Sequence, residues 1–270
     1  MGARRVWKGW ELREAGPADA RHTALLLPGG LCTAAFYDDV LADPRLVDRG
    51  VRFVAATPPG FGGRPAPGDV SVEGFARLAG ELAASLGCDL VAGHSYFGNV
   101  AIEMAAAGEF SGSLVLLSPS FSREHEFKAL GVLDRVGRVP GLGRLAWAMV
   151  PRVSARAMKG NFPPARRDEF VAEIKRNDPV VCRRMVRRYF EHLDRYGSLV
   201  QRLCDTGVKA WVIFGERDQV GLTDDERSAL EACPSVTMVT VPDATHVVML
   251  DQPARVAELI LDVMRDHSDA

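Results

Sequence analysis

Short apolar runs recur along the chain at Thr23–Leu27, Val51–Ala56, Asp89–Ala92, Ser113–Leu117, Ala210–Phe214 and Val236–Val241. They are too short for helices and rich in Val, Ile and Leu. Such near-continuous apolarity is what strands buried on both faces require. Between several of them the period lengthens. Val72–Leu86 puts Phe75, Leu78, Leu82 and Leu86 on one face, and Pro253–Met264 opens with a proline at the first helical position and runs Val256, Leu259, Ile260 and Val263 down one side. Strand–helix alternation of this kind predicts the α/β class, with a mostly parallel central sheet and helices on both faces. Arg4–Leu12 alternates weakly and is expected to form an antiparallel edge strand.

The alternation stops between Ser118 and about Thr206. That stretch reads as helices, roughly Glu126–Val136, Leu142–Met158, Ala165–Arg176 and Val180–Leu203, with turn signals at Pro140-Gly141 and Pro163-Pro164. A helical block between two strands of a parallel sheet predicts two parts. Residues 1–118 and 207–270 form the core, and residues 119–206 form a helical cap, or lid. The cap is expected over the C-terminal ends of the strands, where open α/β sheets place their sites.

Composition narrows the class. A chain of 270 residues, 47% hydrophobic and 25% charged, fits a soluble protein of one full-sized domain or of one domain with an insertion. The 33 basic and 35 acidic residues leave a net charge of −2, which is no signature of nucleic-acid binding. Five scattered cysteines without a CxxC pair argue against a disulfide framework and a structural zinc site. There is no apolar run of signal-peptide length at the start and none of about 18 residues anywhere, so the expectation is a cytoplasmic protein with no membrane span. From Phe121 to Thr206, however, 18 Lys and Arg face 10 Asp and Glu, and Arg183, Arg184, Arg187 and Arg188 stack on one side of a helix. Such a surface would attract an anionic substrate, such as an acyl group on a phosphopantetheine carrier. The plainer reading, which we favour, is a solvated helical face or a contact between cap and core.

The strongest chemical signal is Gly93-His94-Ser95-Tyr96-Phe97-Gly98, which follows one apolar run and opens a helical stretch. This is the strand–turn–helix context of a nucleophile elbow, with Ser95 exposed above the sheet. The pattern G-x-S-x-G wants a small residue two places after the serine. Phe97 stands there instead, and its ring is expected to point toward the substrate pocket, the alternative being a ring packed among the helices behind the sheet. A serine needs a base, and the base needs an orienting acid. Asp218 follows the Ala210–Phe214 run and His246 follows the Val236–Val241 run, both at the sheet edge that carries Ser95. Singly, Asp218 could be a turn aspartate and His246 a buried or helix-capping histidine; the joint occurrence favours a triad. His94 is expected to point away from the serine, and His192, in the helical block, to be exposed. Leu25–Leu31 runs a strand into a Gly-rich loop, which supplies candidate oxyanion donors. The N–H of Gly30 is the first choice, that of Leu31 the alternative, and the N–H of Tyr96 the second donor. Cys32, in the same loop, reads as a small buried residue.

With Pro28-Gly29-Gly30, Pro59-Gly60-Phe61-Gly62, the elbow, Asp218, His246 and Leu250–Pro253 in that order, the chain resembles the α/β-hydrolase superfamily over essentially its whole length. The resemblance implies a Ser95–His246–Asp218 triad beneath a cap, and it is greatest to esterase-, thioesterase- and perhydrolase-like members. Members that open epoxides carry aspartate where this chain has Ser95. The expected activity is hydrolysis of a carboxylic ester or thioester through an acyl-enzyme, on a small apolar or acyl substrate, with no metal and no organic cofactor. Two other readings stay open: a lyase, cyclase or isomerase without an acyl-enzyme, and a ligand-binding protein.

Overall fold

All six apolar runs become neighbouring parallel strands in the computed structural model, which describes residues 5–139 and 141–268. The strands are β1 (Arg5–Trp7), β2 (Trp10–Ala15), β3 (His22–Leu27), β4 (Val51–Thr57), β5 (Leu90–His94), β6 (Ser113–Leu117), β7 (Ala210–Gly215) and β8 (Val236–Val241), in the spatial order β1-β2-β4-β3-β5-β6-β7-β8. From β4 to β8 every pairing is parallel. The expected single edge strand is instead a hairpin of two, β1 and β2, with β2 antiparallel to β4. Lys8 and Gly9 both take positive φ between them, the backbone a tight hairpin turn demands. Arg4 lies outside the described residues. β8 is an edge, so it is only half-buried despite its apolar run.

The helices outside the insertion are α1 (Asp38–Leu41), α2 (Arg45–Asp48), α3 (Val72–Leu86), α4 (Tyr96–Ala106), α10 (Asp224–Glu231), α11 (Val248–Asp251) and α12 (Pro253–Ser268). Helices α3 and α4 close one face of the sheet, and α11 and α12 close the other, giving two buried clusters. Ser71 caps α3 by accepting from the Gly74 N–H at 3.0 Å, and Gly87 ends it in the left-handed conformation. No described helix is long and apolar enough to cross a membrane.

Between β6 and β7 come α5 (Lys128–Gly137), α6 (Leu142–Ala157), α7 (Arg167–Lys175), α8 (Pro179–Tyr196) and α9 (Val200–Cys204). Pro140, half of one expected turn signal, lies outside the described residues. The expected helix Val180–Leu203 breaks at Gly197, which has φ 69°, into α8 and α9. The insertion is bound to the rest of the molecule on two sides. Phe162 and Phe170 pack on Phe36, with ring centroids 5.8 and 4.4 Å apart. Opposite them, His192 and Arg195 of α8 reach Glu73 of α3 at 3.2 and 2.7 Å. His192 is therefore buried rather than exposed, because α8 turns that face toward α3. The arginine row on α8 is largely committed. Arg184 donates to the Gly68 carbonyl, and Arg187 and Arg188 hold Glu191.

Candidate active site

Three loops converge at the C-terminal edge of the parallel strands. The first turns from β5 into α4 through Ser95, whose φ of 50° and ψ of −118° are strained for a side chain with a Cβ. The turn is held by the Ser95 N–H, which donates to the Leu117 carbonyl at 2.8 Å. It also depends on Gly93, where a Cβ would sit 2.2 Å from the Phe97 carbonyl oxygen. Close packing at the elbow thus involves the backbone of residue 97, not its side chain. This corrects the expected position of the Phe97 ring. It leaves on the α3 side and is fully buried, edge-on to Trp10, Phe61, Phe75 and Tyr96, so it belongs to the aromatic core rather than to a pocket wall.

The other two loops bring Asp218 and His246 together. His246 Nδ1 lies 3.0 Å from Asp218 Oδ1 and 3.3 Å from Oδ2. The Asp218 side chain is 2% exposed and that of His246 14%. Burial pushes the Asp218 carboxyl up, but His246, the neighbouring Ser118 hydroxyl and the Val220 N–H outweigh it and hold the group below its ordinary value. The loops are also joined through their main chains, Glu216 N–H to the Val241 carbonyl and Arg217 N–H to the Ala244 carbonyl. Gly215 allows this approach, since a Cβ there would lie 2.4 Å from the Ala244 oxygen. Asp251 secures the histidine loop from behind by accepting from the Thr245 N–H at 2.7 Å and the Thr245 hydroxyl at 2.6 Å.

The Gly-rich loop lies against the elbow. A Cβ on Gly29 would be 3.5 Å from Ser95 Cβ, and one on Gly30 would be 3.7 Å from Tyr96 Cβ. Tyr96 is the first residue of α4, so its N–H has no carbonyl one turn back. Among the described residues neither this N–H nor that of Gly30 is used in a backbone hydrogen bond. The loop is held from the insertion. Asn177, between α7 and α8, donates to the Leu31 carbonyl at 2.9 Å and accepts from the Gly62 N–H at 3.2 Å. Cys32 is buried, which pushes its thiol up to about 12 and leaves it inert.

Ser95 is half-buried, and among the described residues its hydroxyl has no hydrogen bond, to His246 or any other group. Such contacts are often loose without substrate and tighten when it binds. The insertion reaches this edge through Phe127, whose ring stands edge-on to the His246 ring at 5.1 Å. Phe127 also lines an open groove of about 440 Å³ with Arg123, Glu126, Lys128, Arg135 and Phe190. Glu126 connects this corner to the elbow. It accepts from the Phe127 N–H at 2.8 Å and from the Tyr189 hydroxyl at 2.7 Å, and the Tyr189 ring meets that of Tyr96 at 5.3 Å.

Sequence reasoning missed three contributors. His94 does not point away: its Nε2 lies 2.8 Å from the His246 main-chain oxygen. Asp251 lies in the Leu250–Pro253 motif but had no role assigned to it, and Phe127 gave no signal, because their partners are fixed only by the fold.

The sequence profile of the alpha/beta hydrolase family matches residues 24–259. No curated protein matches the chain. Among solved structures, the chain is similar to a thermophilic esterase from Thermogutta terrifontis (20% identity, 95% of this chain and 93% of that one, TM-score 0.72). It is also similar to an esterase from Exiguobacterium antarcticum (14%, 98% and 100%, TM-score 0.74). A third is epoxide hydrolase A from Mycobacterium thermoresistibile (19%, 98% and 98%, TM-score 0.74).

Proposed function

The chain belongs to the alpha/beta hydrolase family, and we propose that it is a serine hydrolase that cleaves a carboxylic ester or thioester through an acyl-enzyme. The observation that carries this reading is the 3.0 Å hydrogen bond between His246 Nδ1 and Asp218, at the sheet edge where Ser95 sits in a strained elbow. In this reading Ser95 Oγ attacks the substrate carbonyl while His246 Nε2 takes its proton. Asp218 fixes the tautomer that leaves Nε2 free and stabilises the imidazolium. The carbonyl oxygen, now carrying the negative charge, accepts from the N–H groups of Gly30 and Tyr96; one such donor contributes on the order of 10²–10³ in rate. The C–O or C–S bond breaks as His246 returns the proton to the leaving alcohol or thiol. Water then attacks the acyl-serine with His246 again as base, the bond from Ser95 Oγ to the acyl carbon breaks as His246 returns that proton to Oγ, and the acid departs. The helical insertion acts as a cap, with Phe127 over the histidine, and the substrate is a small apolar or acyl compound.

A fluorophosphonate probe tests this reading. Stoichiometric labelling of Ser95, located by peptide mass spectrometry, is expected, together with turnover of a short-chain 4-nitrophenyl ester that Ser95→Ala abolishes. Turnover that survives Ser95→Ala without labelling would point to chemistry lacking an acyl-enzyme. Neither labelling nor turnover would point to a ligand-binding protein.

A further inference from the structure

His94 takes no part in the proton transfers above, yet it adjoins the nucleophile, the base and the Gly-rich loop. It ends β5 and is covalently joined to Ser95. Its Nε2 lies 2.8 Å from the main-chain oxygen of His246, and the two rings are 5.0 Å apart between centroids. A carbonyl oxygen only accepts, so Nε2 carries the hydrogen and Nδ1 the lone pair. The Nδ1 edge faces the oxyanion loop so closely that a Cβ on Gly29 would sit 2.5 Å from it.

The ring also stays neutral. Burial, with His246 adding to it, pushes its pKa down to about 3, against the His246 carbonyl and Asp218, which favour protonation. Its Nδ1 is buried without a hydrogen-bond partner, an arrangement that destabilises a fold. Filling space does not explain a histidine here, since an apolar ring would do that without an orphaned acceptor. What an apolar ring cannot supply is the Nε2–H donor.

We propose that His94 is a positioning residue: by donating from Nε2 to the His246 carbonyl while its other edge abuts Gly29, it sets the register of nucleophile, base and oxyanion loop. This rests on the serine-hydrolase reading. His246 has its Nδ1 fixed by Asp218, but that bond alone leaves the imidazole free to swing with its own main chain. The His94 bond removes that freedom at its root.

The test compares His94→Phe, which keeps a planar ring without a donor, with His94→Gln, whose amide can donate. A misplacement near 1 Å costs on the order of a hundredfold, so His94→Phe should lower kcat and the rate of fluorophosphonate labelling by about that factor with KM little changed. His94→Gln should recover most of both, although both variants have similar melting temperatures. Equal rates in the two variants, or loss that follows melting temperature, would overturn the proposal. If the unsubstituted protein labels normally and His94→Phe does too, only the role of His94 falls. If the unsubstituted protein does not label, the nucleophile and this proposal fall together. Should His94→Phe not fold, long-range ¹H–¹⁵N spectra of the unsubstituted protein decide. A single Nε2–H tautomer that does not titrate between pH 5 and 9 is expected, and an Nδ1–H tautomer or a titration in that range refutes it.

Discussion

Replacing Phe97 by alanine separates a core ring from a pocket wall. The ring has no exposed surface and stands edge-on to Trp10 at 6.5 Å, Phe61 at 5.6 Å, Phe75 at 5.4 Å and Tyr96 at 5.2 Å. Truncating a buried phenylalanine costs about 3–5 kcal/mol, most where the walls cannot collapse into the space. Here the walls come from β2, the loop after β4, α3 and α4, so collapse would have to move several elements at once. Each lost edge-to-face pair contributes about 0.5–1.5 kcal/mol beyond its area, which also favours the upper half of that range. With a urea slope of about 3 kcal/mol/M for a chain of this size, a loss of ~4.5 kcal/mol lowers the midpoint by roughly 1.5 M. Trp10 lies against the ring and gives a fluorescence signal for the transition. The companion assay is the acyl-chain preference from acetyl to octanoyl 4-nitrophenyl esters, which should keep its shape. A stability change below about 1 kcal/mol together with a shift toward bulkier chains would mean that the ring faces substrate, and the packing argument would be wrong.

Four further outcomes follow from the same geometry. Ser95→Ala, Asp218→Asn and His246→Ala should each lower ester turnover by on the order of 10³-fold or more, with little added by combining them; full activity of Ser95→Ala refutes the covalent route. Gly29→Ala should slow fluorophosphonate labelling sharply, because the new methyl meets His94 Nδ1 at 2.5 Å, and normal labelling would show that the loop has room there. His94 stays neutral in the fold while the unfolded residue protonates near 6.5, so its burial removes stability as pH falls from 6.5 toward 3, at about 1.4 kcal/mol per pH unit. Urea titrations at pH 7 and pH 5 should therefore show His94→Gln losing about 2 kcal/mol less than the parent, and equal losses contradict the neutral assignment. Arg202→Met should cost about 3–5 kcal/mol by stranding Glu103, which is buried and held by two hydrogen bonds of 2.7 and 2.8 Å; a change within 0.5 kcal/mol by calorimetry is the opposing result.

What could be read from the sequence follows from burial. The inner strands are covered on both faces, so their apolar runs gave their positions to within a residue or two. Ser95 and Asp218 each follow such a run, and His246 follows the apolar run of the half-buried edge strand β8, which is why loops far apart in sequence could be assigned to one edge. The side to which a ring leaves the backbone was not legible. Phe97 and His94 flank one turn, and only the contact of the residue 97 backbone with Gly93 decides where the Phe97 ring goes. For His192 the signal was present. Met185, Tyr189, His192 and Leu193 fall on one stripe of α8, and the histidine shares their burial. The hairpin at the start failed for a different reason, since Lys8-Gly9 turns a stretch too short for either strand to show its own period. The helix α10 was missed although Thr223 and Glu226 form a reciprocal cap before it.

The amide of Asn177 has an evolutionary corollary. It sits in the insertion, yet it fixes the carbonyl of Leu31 and the N–H of Gly62, which belong to two loops of the sheet. Insertions of this kind look exchangeable, since both ends enter at neighbouring strands and the sheet closes without them. Here the exchange is not modular. A chimaera that takes its insertion from another lineage inherits a Gly-rich loop without its tether unless an amide arrives at the same point. The groups it holds are main-chain atoms that any residue at 31, and any but proline at 62, would offer, so the constraint falls on position 177 itself: variation in the insertion is limited there by the loop that would bind the oxyanion.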